Sequence, residues 1–116
     1  HGCPSHGVAL TPDEREVWGV DAHNKAVHVF DNTATPPKFL QSIALFDEPG
    51  WITFTRRGDF AYPSTGEVID PASRKIVTRL VDEQGAPVQS EKLLEITWEG
   101  GRPVANGDQF GLGRVR

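Results

Sequence analysis

The densest group of potential ligands in this sequence of 116 residues lies at its start, in HGCPSH. His1 and His6 supply two imidazoles and Cys3 supplies a thiol, and copper and zinc both accept these ligand types. The spacing matches no standard zinc motif, since Cys3 is the single cysteine of the chain and no CxxC pair exists. These residues make copper or zinc the candidate cofactor.

Two more histidines follow closely, so all four histidines of the chain lie within its first 28 residues. His23 occupies a polar turn, where a polar residue is expected whether or not it has a chemical role. His28 alternates with Phe30 along one face of a predicted strand. If the fold brings His23 or His28 close to His6, the chain has a metal site. Its candidate ligands are His1, Cys3, His6, His23 and His28.

Other polar residues give weaker chemical signals. Four aspartates end strands or begin turns, where hydrogen bonds to nearby backbone N–H groups explain them: Asp21, Asp31, Asp70 and Asp82. Glu67 is predicted to be an exposed loop carboxylate without a partner. No serine lies in a nucleophile-elbow context, so a hydrolase triad is not predicted. Catalytic residues are left unassigned, and whether the protein is an enzyme stays open.

The elements that must position these residues are β-strands. Twelve glycines and nine prolines interrupt the chain every few residues, and no stretch shows a 3.6-residue apolar period. Short runs rich in Val, Ile, Phe and Trp predict strands between turns. The segment Pro12–Glu16 is predicted to be a charged hairpin turn. The runs are 8–10, 17–20, 27–30, 39–45, 51–54, 60–62, 68–69, 76–81 and 93–98.

The predicted strands occur in two similar copies. An offset of 44 residues aligns Leu10-Thr11 with Phe54-Thr55. An offset of 39 aligns Val29-Phe30-Asp31 with Val68-Ile69-Asp70, because the middle hairpin of the second copy is shorter. Four strands in about 40 residues is the size of one propeller blade.

The first copy, VALTPDEREVWGVDAHNKAVHVFD, resembles the blade motif of the YVTN family of bacterial β-propellers. The second, WITFTRRGDFAYPSTGEVIDPASRKIVTRL, is similar, with Arg56-Arg57 in place of Pro-Asp. The resemblance implies an all-β fold with antiparallel four-stranded blades of β-propeller type, and a periplasmic or secreted location. The single unit 1–116 then divides into a lead-in (1–6), two blade repeats (7–48 and 49–84) and C-terminal closing strands (85–116).

Two blades are fewer than a closed propeller needs, since known propellers have about 4–8. The expected partners are therefore further blades from another copy or chain, although refolding into a compact sandwich or barrel is an alternative. In an unpartnered pair of blades the large aromatic side chains would be half covered. These are Trp18, Trp51, Phe54, Tyr62 and Trp98.

The composition excludes some partners. The net charge is −4 at neutral pH, and the Arg56-Arg57 and Arg74-Lys75 pairs are flanked by acidic residues, so they are predicted to lie in solvated loops. A nucleic-acid partner is not expected, because such proteins normally carry a basic face. A membrane partner is not expected either, because no run of about 20 apolar residues occurs.

Two functional hypotheses follow. In the first, the protein is a propeller-type binding or scaffold module. The family resemblance places His6 at the mouth of the channel, where it would hold a small ligand or a protein partner. In the second, the histidine cluster holds copper or zinc, and an oxidoreductase activity becomes possible at an open coordination position.

Overall fold

The computed structural model describes residues 4–108 and 111–114, and these form eleven β-strands and no helix. The predicted all-β fold class is therefore confirmed. Because no helix forms in these ranges, none is long and apolar enough to span a membrane.

The strands form three antiparallel sheets in which sequence neighbours pair. Sheet 1 contains β1 (Val8–Leu10), β2 (Glu16–Asp21), β3 (Ala26–Asp31) and β4 (Lys38–Ala44). Sheet 2 contains β5 (Ile52–Phe54), β6 (Ala61–Pro63), β7 (Glu67–Asp70) and β8 (Lys75–Arg79). Sheet 3 contains β9 (Glu95–Glu99), β10 (Arg102–Asp108) and β11 (Gly111–Arg114). The two four-stranded sheets correspond to the two predicted blades.

Both repeats use a threonine to close the first hairpin. The Thr11 hydroxyl donates to the Asp13 carboxylate at 2.6 Å and accepts the Glu16 N–H at 3.1 Å. In the second repeat, Thr55 Oγ1 accepts the Phe60 N–H at the same distance of 3.1 Å. The threonine fixes the turn by binding the residue at which the chain returns.

The core lies between sheet 1 and sheet 2. The Trp18 and Phe54 rings meet edge to face with their centroids 5.2 Å apart. Trp18 is 0% and Phe54 1% exposed, so the expectation that they would be half covered was wrong. One face of sheet 1 covers one face of sheet 2, and two sheets are enough to bury both rings. The core residues are Ala9, Trp18, Val20, Val27, Val29, Ile43, Ile52, Phe54, Ala61 and Ile69.

An ion pair joins the two sheets near the Trp18 ring. The Glu16 carboxylate accepts the Trp18 indole N–H at 2.7 Å and also pairs with Arg74 of the second repeat. Arg74 was predicted to lie in a solvated loop, and that prediction was wrong for this residue. The guanidinium reaches across the interface because Glu16 lies at the edge of the packed face.

Sheet 3 docks on the far side of sheet 2 through Arg56. The Arg56 backbone N–H donates to Glu95 Oε2 at 2.9 Å, and Arg56 Nη1 donates to Thr97 Oγ1 at 3.2 Å. The corresponding residue of the first repeat is Pro12, which has no N–H to donate. The departure from the Thr-Pro-Asp pattern thus supplies the donor that holds β9, and Arg56 is not in a solvated loop as predicted.

Candidate functional site

The histidine nearest the start of the first sheet is held by an extension of strand pairing. Residues before β1 continue along β2, where the Val20 N–H donates to Gly7 O and the Ala22 N–H to Pro4 O, both at 2.9 Å. His6 lies between these two contacts and is exposed. The backbone therefore fixes the position of His6 at one end of sheet 1.

Gly7 permits a close approach between the two sheets at that end. A Cβ atom on Gly7 would lie 2.8 Å from both Gly50 O and Trp51 Cα. Contacts between the two sheets concentrate at β1, β2 and β5, so the sheets converge at their first strands and diverge toward β4 and β8. His6 thus lies where the first strands of the two sheets meet.

His6 and Trp51 form an aromatic pair at this junction. His6 Nδ1 lies 3.1 Å from Gly50 O, and since a carbonyl oxygen only accepts, Nδ1 carries the proton in this contact. The imidazole and indole centroids are 6.0 Å apart with the rings inclined at 61°. Trp51 is 36% exposed, which leaves part of the indole face available to a ligand.

A polar cleft of about 210 Å³ adjoins this pair through Gly50. The Glu91 carboxylate packs against Gly50, where it occupies the space that a Cβ atom would need. On the opposite side, Ser64 Oγ accepts the Gly50 N–H at 2.9 Å. The cleft presents carboxylates, an amide and hydroxyls beside an indole. Its lining residues are Glu48, Gly50, Ser64, Gln89, Ser90 and Glu91.

His28 is engaged elsewhere, on the outer face of sheet 1. Its Nδ1 lies 2.8 Å from Ser42 Oγ and its Nε2 lies 3.0 Å from Asp21 Oδ2. The pKa of Asp21 is lowered, first by the Asn24 amide that donates to it and then by His28. Both nitrogens of the imidazole therefore hold neighbouring strands together.

The structure does not bring the predicted metal ligands together where it describes them. His1 and Cys3 lie outside the described residues. His23 is exposed in the turn between β2 and β3, while His6 and His28 have the separate partners given above. Among residues 4–108 and 111–114, no group of three His, Cys, Asp or Glu side chains is placed to hold a metal ion.

Glu67 differs most from its sequence-based prediction. The residue is 0% exposed rather than a solvated loop carboxylate. Its oxygens accept the Thr65 hydroxyl and the Phe46 N–H, each at 2.5 Å, and Arg79 Nη2 lies 3.4 Å away. Phe46 belongs to the linker from sheet 1, so Glu67 fastens the linker to sheet 2. The 39-residue offset, which aligns Glu67 with the strand residue His28, is a signal that could have placed it in a strand.

Comparison with known proteins supports the fold. The chain is similar to hydrazine synthase of Kuenenia stuttgartiensis, with a TM-score of 0.60 and 21% identity over 72% of this chain and 25% of that one. It is also similar to a candidate 6-phosphogluconolactonase from Bacteroides uniformis, with a TM-score of 0.56 and 18% identity. That alignment covers 96% of this chain and 41% of the other.

The protein has a β-propeller-like fold. At these identities the similarity concerns the fold alone, and the chain spans about a quarter and two fifths of the two structures. No family model matches the sequence. No curated protein matches it either.

Proposed function

We propose that this chain is part of a YVTN-type β-propeller and acts as a binding module whose ligand is held beside His6 and Trp51. The YVTN assignment is supported by the Thr-Pro-Asp turn, in which Thr11 binds Asp13 and Glu16. The same threonine device recurs at Thr55. Repetition of both the sequence and its hydrogen bonds is what a blade family requires.

The observation that carries the binding function is the exposed His6–Trp51 pair at the junction of the first strands. Small-molecule sites combine an apolar surface with a few placed polar groups. Here the indole supplies the apolar surface, and the neighbouring cleft supplies Glu91 and Gln89. A small molecule with a ring face and several hydroxyl or amine groups matches this combination.

Nuclear magnetic resonance tests the proposal directly. The signals to follow are the His6 imidazole C–H and the Trp51 indole N–H, titrated with a panel of monosaccharides, nucleosides and tripeptides. At least one class is expected to shift both signals saturably with a Kd at or below about 1 mM. His6→Ala and Trp51→Ala are expected to weaken that binding about tenfold or more, while His23→Ala, in the exposed turn, leaves it unchanged.

Two glycine substitutions test whether ligand binding depends on the close approach of sheet 1 to Gly50 and Trp51. Gly7→Ala forces Gly50 and Trp51 away and is expected to weaken binding, because a Cβ at 2.8 Å from backbone atoms cannot be accommodated without a shift. Gly19→Ala is the matched control, since nothing lies within 4 Å of its added Cβ. Absence of a saturable shift across the panel at about 10 mM, well above the weakest affinity expected, would contradict the proposal.

A further inference from the structure

A cavity of about 170 Å³, here called the Tyr62 cavity, lies between sheet 2 and the segment that begins sheet 3. Phe54 points from β5 toward Trp18 of sheet 1, and side chains alternate along a strand, so Thr53 points to the opposite side, into this cavity. The residues that line it include Thr53, Tyr62, Leu93, Leu94 and Glu95.

The internal repeat shows what fills the corresponding space between sheet 1 and sheet 2. The 44-residue offset aligns Ala9 with Thr53 and Trp18 with Tyr62. Ala9 pairs with Trp18 across β1 and β2, just as Thr53 pairs with Tyr62 across β5 and β6. In the first repeat the ring of Phe54 packs edge to face against Trp18, with the centroids 5.2 Å apart. An aromatic ring of the next sheet therefore fills that space.

Sheet 3 does not supply such a ring to Tyr62 among the described residues. The ring that Tyr62 contacts is Phe60 of its own sheet, with the centroids 6.5 Å apart. The side of β9 that faces sheet 2 carries Glu95 and Thr97, which bind Arg56. The Tyr62 cavity is thus the counterpart of the space that an aromatic ring occupies in the first repeat.

The size and the polar groups of the Tyr62 cavity define the chemistry of a ligand. An apolar cavity of about 150 Å³ accepts one benzene ring. Glu95 Oε2 accepts the Arg56 N–H at 2.9 Å, and Oε1 has no donor within the described residues, so it can accept a hydrogen bond from a ligand. A hydroxyl is favoured over an ammonium group, because an ion would lose its hydration beside Tyr62, Leu93 and Leu94.

From this comparison we infer that the Tyr62 cavity binds a neutral monocyclic aromatic molecule with one hydroxyl group. The ring packs against Tyr62 and takes the place that Phe54 has in the first repeat. The hydroxyl donates to Glu95 Oε1. The Tyr62 cavity shares no lining residue with the cleft beside Gly50, so this site is separate from the one proposed above.

Nuclear magnetic resonance of the single tyrosine tests the inference, with phenol as the probe. Phenol is expected to shift the Tyr62 ring signals saturably with a Kd at or below about 1 mM. Cyclohexanol has the hydroxyl without a flat ring, and benzene has the ring without a hydroxyl, so both are expected to bind several-fold more weakly. Trp51→Ala is expected to leave phenol binding unchanged, which distinguishes this site from the cleft beside Gly50.

Substitutions in the lining separate filling of the cavity from recognition of the hydroxyl. Thr53→Phe places a ring of the protein in the cavity and is expected to weaken phenol binding about tenfold or more. Thr78→Phe, at an exposed position in β8 of the same sheet, is the matched control and leaves binding unchanged. Glu95→Gln removes the charge of the acceptor and is expected to weaken the binding of phenol several-fold but not that of benzene. This variant keeps the test decisive if Thr53→Phe does not fold.

Three results would overturn the inference. The first is the absence of a saturable Tyr62 shift at about 10 mM phenol, well above the weakest affinity expected. The second is an unchanged phenol affinity in folded Thr53→Phe, or an equal affinity for cyclohexanol. The third is a loss of phenol binding in Trp51→Ala, which would place phenol at the cleft beside Gly50 instead.

Discussion

The same face of the repeat is buried in sheet 2 and open in sheet 1. Ile52, Phe54 and Ile69 are almost completely buried, whereas Val8 at the position matching Ile52 is 61% exposed. The residues at both positions are aliphatic, so residue type does not explain the difference. The presence of a covering sheet does, because burial in a stack is a property of neighbours. The following predictions test this contrast, beginning with the largest effect.

Truncating a phenylalanine in the covered face of sheet 2 and one in the open face of sheet 1 should give very different losses of stability. Phe54→Ala is expected to lower the free energy of unfolding by about 4 kcal/mol, because it removes the ring packed against Trp18. Phe39→Ala, which begins 58% exposed, is expected to cost less than about 1 kcal/mol in dilute protein. Urea unfolding followed by tryptophan fluorescence measures both losses.

If Phe54→Ala does not fold, Phe54→Leu keeps most of the volume and is expected to cost about 1.5 kcal/mol. Equal losses from the Phe54 and Phe39 truncations would show that the covered face is not the core.

Removal of the buried carboxylate is expected to have the next largest effect. Glu67→Ala should cost about 3 kcal/mol, because the Phe46 N–H, the Thr65 hydroxyl and Arg79 all lose an acceptor inside the protein. Glu67→Gln keeps an oxygen for one donor and should recover part of that loss. Urea unfolding at neutral pH measures each value.

Asp59→Ala provides the control for Glu67. Its ion pair with Arg57 is 51% exposed on the aspartate and 86% on the arginine, so its loss should change stability by less than about 1 kcal/mol. A comparable loss for Glu67→Ala would indicate that Glu67 is solvated after all.

The smallest expected effect concerns the single tyrosine of the chain, Tyr62, which sheet 3 partly covers. Burial, and to a lesser degree the negative charge of Glu95, raises the pKa of Tyr62 above its ordinary value of 10.0. Stability that depends on neutral Tyr62 is therefore present below pH 10 and is lost as the pH rises through the folded-state pKa. Tyrosinate absorbance against pH measures this pKa directly.

Glu95→Gln should lower the Tyr62 pKa by less than about one unit, because the larger contribution from burial remains. Glu83→Gln, in the exposed linker, should leave it unchanged. A Tyr62 pKa at its ordinary value in the native chain would show that sheet 3 does not cover sheet 2.

The contrast between Thr11 and Glu67 shows which contacts could be predicted from the sequence and which could not. The hairpin at Thr11 was predicted correctly because its polar turn and flanking strands are close in sequence. Glu67 was misplaced because its partners Phe46 and Arg79 lie 21 and 12 residues away. Hydrogen-bonding patterns among neighbouring residues do not predict contacts between residues so far apart in sequence. Alignment with His28 would nevertheless have placed Glu67 within a strand.

Some residues of the candidate site were also identified from the sequence, and others were missed. His6 was singled out from the sequence, and the structure places it just before β1. Its role at a channel mouth stays a prediction. Trp51 was noted only as a half-covered aromatic, and Glu91 was not noted. Both were missed as site residues, since their proximity to His6 depends on how closely Gly7 lets the two sheets approach. The metal ligands His1, Cys3, His6, His23 and His28 stay a prediction.

By itself the sequence determined the strands of the two repeats and their order, because alternating apolar residues and turn residues act over a few positions. It did not locate β10 and β11 individually, since Arg102–Asp108 and Gly111–Arg114 contain few of the Val, Ile, Phe and Trp residues that mark the other strands. Only the tertiary structure decided which face of each sheet is covered, which carboxylate is buried and which side chains meet at the convergent end. Those outcomes depend on sheets stacking on one another, and stacking brings together residues that are tens of positions apart.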